Sequence, residues 1–130
     1  MVVCLHNAAE FGHLDIVKWA RENEFLWDSY TCAVAARNGH IDVLRWAHEN
    51  GCPWSETTCE CAAASGHLQI LQWAIDHGCP FENSALMLAA YNGHLGILQW
   101  ARESGLWNDR LTKAASSSGK AEVAKWLMKM

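Results

Sequence analysis

Positive charge is scarce in this chain. Ten Lys and Arg stand against fourteen Asp and Glu, a formal net charge of −4. Phosphate backbones are held by a basic face, so nucleic acid is excluded as the main partner. Long apolar runs are missing too, and none approaches a membrane span, so no membrane partner is expected. Met1-Val2-Val3-Cys4-Leu5 is too short for a signal peptide. Without a secretory leader the expected compartment is the cytoplasm, where the six cysteines would be thiols and not disulfides. The chain has no Gly-rich phosphate loop, no nucleophile beside a base and no paired acids at a fixed site, so no enzyme is expected. Cys59-x-Cys61 and His77-x-Cys79 fall short of the paired ligand motifs of zinc sites, and no metal or cofactor is expected. Disorder is excluded in turn by the 51% of hydrophobic residues.

What the chain has in abundance is itself. Gly66-His67-Leu68-Gln69-Ile70-Leu71-Gln72-Trp73-Ala74 recurs nearly letter for letter at Gly12, Gly39 and Gly93, a step of 27 residues, and more weakly at Gly119 after 26. Five copies, at about 1–27, 28–54, 55–81, 82–107 and 108–130, leave no room for a separate domain. A stack of repeats has a row of small interfaces for a core.

Each copy reads as two helices. An Ala-rich run such as Thr31-Cys32-Ala33-Val34-Ala35-Ala36 suits a first helix, A, whose small side chains permit close packing. Gly at the reversal suits a left-handed turn. The second helix, B, starts at the following His, and His13, His40, His67 and His94 are expected to cap it. On B of copy one, Leu14, Ile16, Val17, Trp19 and Ala20 cover an arc of roughly 220°, far wider than the stripe a lone surface helix needs. B is therefore expected to touch its own A and the B helices on both sides. Trp19, Trp46, Trp73, Trp100 and Trp126 fall at the arc's edge and should form a partly exposed ladder.

Linkers such as Asn50-Gly51-Cys52-Pro53-Trp54-Ser55 join B to the next A. Pro53 and Pro80 forbid continuation of the helix. Asp28, Ser55 and Asn108 are good N-caps, whereas Glu82 is poor and Asn83 is expected to substitute. An aromatic before each cap, with Cys32, Cys59 or Leu86 at the fourth helical position, has the spacing of a hydrophobic staple. Copy five is polar, with Ser116, Ser117, Ser118 and Lys120, as a terminal repeat facing water should be.

Leu5-His6-Asn7-Ala8-Ala9-Glu10-Phe11-Gly12-His13-Leu14-Asp15-Ile16-Val17 resembles the ankyrin repeat, in which an Ala-Ala pair precedes Gly-His at this spacing. The resemblance extends over all five copies. Two departures stand out: the family step is about 33 residues, and Thr31, Thr58 and Ala85 occupy the family's Pro position. The missing residues fall where an ankyrin repeat builds its β-hairpin finger. With Trp in helix B, the pattern is similar to short ankyrin-like repeats of large DNA viruses and unicellular eukaryotes. The resemblance implies an all-α fold, an α-solenoid of five helix-turn-helix repeats with fingers shortened or absent.

It also implies a non-catalytic protein-interaction module, monomeric, contacting a protein partner through the helix A surface. Exposed positions that vary between copies mark that surface, and Phe11, Tyr30, Arg37, Asn38, Ser65, Tyr91 and Asn92 are the candidate contact residues. Aromatics and Arg lead because they dominate binding hot spots. The alternative is a structural spacer within a longer protein whose activity lies elsewhere.

Overall fold

A computed structural model describes residues 5–129. Its helices fall into two parallel rows. The A row is α1 (Leu5–Glu10), α3 (Ser29–Arg37), α5 (Glu56–Ala64), α7 (Asn83–Tyr91) and α9 (Asp109–Ser116). The B row is α2 (Leu14–Glu22), α4 (Ile41–Glu49), α6 (Leu68–Asp76), α8 (Leu95–Glu103) and α10 (Ala121–Met128). Among the described residues there is no strand, so the linkers carry no hairpin finger. None of the described helices is long and apolar enough to cross a membrane.

Local chemistry sets the ends of these elements. Asp28, Ser55 and Asn108 cap α3, α5 and α9 by accepting from Tyr30, Thr57 and Leu111 backbone N–H groups at 3.0, 3.3 and 3.2 Å. Asp28 and Thr31 complete a reciprocal capping box. Glu82 is the N-cap of α7 and makes no side-chain cap bond. Asn83 does not replace it: it is the first helical residue, and its Oδ1 accepts from Asn108 Nδ2 at 3.2 Å.

The repeats stack chiefly through the A row, with α3 against α5 the most extensive contact. Ala35, Ala36, Ala62, Ala63, Ala89 and Ala90 are fully buried there. Alanine lets helix axes approach more closely than larger side chains allow. This corrects the expectation for helix B. Neighbouring B helices barely meet, α2 and α4 being the most closely apposed. On α2 only Val17 and Ala20 are fully buried, while Ile16 stays 43% exposed. The wide apolar arc is taken up partly by linker aromatics. Trp27, Trp54 and Trp107 present edges to Trp46, Trp73 and Trp126 of the following repeats' B helices, with ring centroids 5.7, 5.6 and 5.2 Å apart. Such pairs favour edge-to-face geometry. The B-row tryptophans are half-buried except Trp19, which is exposed.

A second correction concerns the Gly-His pairs. His13, His40, His67 and His94 occupy the N-cap positions, yet none caps its own helix with its side chain. The rings reach back one repeat instead. The Nε2–H groups of His40, His67 and His94 donate to the carbonyls of Glu10, Arg37 and Ala64 at 2.9, 3.1 and 2.7 Å. Each ring lies over the preceding repeat's Gly, so closely that a Cβ on Gly12 would stand 2.6 Å from the His40 ring. The Gly is thus required twice, for its left-handed φ of 73° and for the ring above it.

Candidate interaction surface

The A row buries one side of each helix against its neighbours and leaves a stripe uncovered. Tyr30, Ala33 and Arg37 are spaced i, i+3 and i+7, which places them on one helical face. The equivalent triplets are Thr57, Glu60 and Ala64, then Ser84, Met87 and Tyr91, then Arg110, Lys113 and Ser117, with His6 and Glu10 in the first repeat. All except Ala33 are exposed or half-buried. The stripes lie side by side because the A helices do.

Cross-repeat contacts order parts of this surface. The Nε2–H of His6 donates to Asp28 Oδ1 at 3.0 Å, and its ring meets the Tyr30 ring edge-on at 4.9 Å. One repeat pair further on, Ser84 Oγ–H donates to Glu60 Oε1 at 2.9 Å. Along the row the chemistry changes from His and Glu, to Tyr and Arg, to a single Glu, to Met and Tyr, and finally to Arg and Lys.

The sequence-predicted contact residues fall into two groups. Phe11, Arg37, Asn38, Ser65, Tyr91 and Asn92 line the C-terminal ends of the A helices, and Tyr30 stands at the opposite end of α3. A nine-residue helix separates those ends by roughly 12–14 Å. Phe11 and Tyr91 are 65% and 54% exposed, the largest apolar surfaces among them. Asn38 and Asn92 are exposed but committed: their Nδ2 groups donate to the Val34 and Leu88 carbonyls at 2.9 and 2.8 Å, closing the C-termini of α3 and α7. Ser65 is the half-buried C-cap of α5.

Sequence reasoning passed over the middle of the stripe. The position held by His6, Ala33, Glu60, Met87 and Lys113 takes five different chemistries in five repeats, and it bridges the two ends. That variation was readable, but the position sits inside a run otherwise rich in Ala and Cys and reads as core.

A family model described as ankyrin repeats, in three copies, matches residues 32–106, more than half of the chain. No curated protein matches it.

Proposed function

Because the chain belongs to the ankyrin repeat family, whose repeats generally serve as protein-interaction modules, we propose that it is a non-catalytic scaffold presenting the A-helix stripe to a protein partner. One observation carries this reading. Packing positions repeat as Ala, whereas the exposed i, i+3, i+7 stripe changes charge and size from copy to copy. An extended surface of fixed frame and variable face suits recognition of another protein's surface better than enclosure of a small substrate. With no fingers among the described residues, the A helices carry the recognition.

In this reading Phe11, Tyr30, Arg37 and Tyr91 are the anchors, Met87 and Glu60 fill the ground between them, and Asn38 and Asn92 act through the helix ends they close. The chain works as a cytoplasmic monomer. Its step of 27 residues and its B-row Trp support placing it with the short Trp-bearing ankyrin-like repeats. The test is capture of binding proteins by the purified chain, compared with Tyr91→Ala and Arg37→Ala variants of unchanged helical content. Loss of about tenfold in capture by each is expected, the effect of a hot-spot side chain. Equal capture by all three proteins would remove this face, and no capture by any would leave the array a spacer.

A further inference from the structure

Four cysteines form two equivalent pairs. Cys32 and Cys59 are the fourth residues of α3 and α5, and Cys52 and Cys79 lie in the linkers that close the same repeats. All four are buried, at 0, 0, 3 and 5% exposure. The linker thiols reach the first turn of their own A helix. Cys52 Sγ–H points to the Asp28 carbonyl and Cys79 Sγ–H to the Ser55 carbonyl, each at 3.4 Å. Cys32 and Cys59 stand four residues on from those carbonyls, about one helical turn away, and all four cysteines belong to one buried cluster.

Comparison between repeats bears on why sulfur stands at both places. The two positions hold Leu5 and Phe25, then Cys32 and Cys52, then Cys59 and Cys79, then Leu86 and Leu106. Where one is cysteine the other is cysteine, and where one is bulky the other is bulky. Packing alone explains a small residue at either site. It does not call for sulfur at both, twice, when Ala or Val would fill the same space. Cys61, on α5 and only half-buried, has no such counterpart and stands as an internal comparison.

We propose that Cys32–Cys52 and Cys59–Cys79 are two dithiol sites that a hydroperoxide oxidises to disulfides within repeats two and three. One sulfur attacks the peroxide, the O–O bond breaks, and a sulfenic acid and an alcohol or water result. The partner sulfur then attacks that sulfenic sulfur. The S–S bond forms, the S–O bond breaks, and water leaves with the second thiol proton. Two electrons pass from the sulfur pair to the peroxide. The linker thiols sit between exposed Gly and Pro residues, Gly51 and Pro53 or Gly78 and Pro80, at the edge of the core and not deep within it.

Each bond would tie the linker to the first turn of its A helix and enclose the whole helix pair. Oxidation therefore locks the two central repeats and leaves repeat four, with Leu86 and Leu106, unaffected. The experiment treats the full chain with hydrogen peroxide, alkylates free thiols without reductant, and reads the proteolytic peptides by mass spectrometry. Expected are the two linked peptides, alkylated Cys61, and a Tm raised by roughly 5–10 °C and restored by dithiothreitol. The variant Cys32→Leu with Cys52→Leu, copied from repeat four, should stay folded and lose only the first link. Cys52→Ala serves the same purpose should the leucine pair fail to fold. Four freely alkylated thiols after peroxide, links to Cys61, or links formed only in denaturant would each overturn the proposal.

Discussion

At the scale of single residues, the fold depends on a few positions with no tolerance for a side chain in the wrong conformation. The turn that ends helix B carries Gly51, Gly78 and Gly105 at φ values of 88, 85 and 76°. The first repeat has Glu24 there instead, at φ 63°, the one non-glycine with positive φ among the described residues. A left-handed backbone costs an ordinary residue about 1 kcal/mol or more. Glutamate is exposed at this place, and among the described residues no side-chain hydrogen bond from it offsets that cost. Glu24→Gly should therefore raise stability by about 0.5–1 kcal/mol, the relief being trimmed by glycine's larger unfolded-state entropy. A denaturation midpoint unchanged or lowered would mean that the strain is absent. Here the sequence was legible, since three of four linkers place Gly at this position. The Gly-His pair was legible only in part. Its glycine announces a left-handed turn, but its histidine acts on a carbonyl 30 residues back. Adjacency in the chain suggested a local cap, and periodicity alone does not reveal a bond that crosses between copies.

At the scale of the helix, capping side chains could be read directly because they act within three residues of themselves. Asp28, Ser55 and Asn108 behave as their chemistry requires. Glu82 is one methylene too long to close the short ring that Asp makes, and α7 starts without a side-chain cap. Glu82→Asp should stabilise the chain by about 0.5–1.5 kcal/mol, measurable as a shifted denaturant midpoint at constant slope. No shift would place the start of α7 outside the cooperative unit. Helix faces were harder to read than helix ends. The wide arc on helix B correctly signalled several neighbours, yet it does not say which ones. Those neighbours are the paired A helix and a linker aromatic such as Trp54, whose ring lies 5.6 Å from Trp73, and contact with the next B helix is slight. The clue lay in helix A, whose adjacent alanines allow an approach that the tryptophans of the B row prevent. The same Ala-rich background concealed the half-buried middle of the A stripe at Glu60 and Met87.

For the molecule as a whole, a linear stack makes stability a property of neighbours, so it should be graded along the chain. Helix α3 is buried at every residue from Thr31 to Ala36, and its contact with α5 is the most extensive in the stack. At the far end α10 buries Val123 alone, and α9 carries exposed Thr112 and Ser116 where earlier repeats hold buried Cys or Leu and buried Ala. Opening the fifth repeat breaks one A-row interface, whereas opening the second or third breaks two, one of them the α3–α5 contact, the most extensive in the stack. Native-state hydrogen exchange should therefore show the slowest amides in α3 and α5. Amides of α9 and α10 should exchange at least about tenfold faster, a difference of about 1.4 kcal/mol in opening free energy. Peroxide treatment should widen that gap, because closure of the central pairs adds a constraint that the fifth repeat does not share. Uniform protection from α3 through α10 would mean that the interfaces are strong enough to couple all five repeats into one block. In that case the variable stripe would be held as a rigid face, and a partner would meet it without any ordering of the C-terminal repeats.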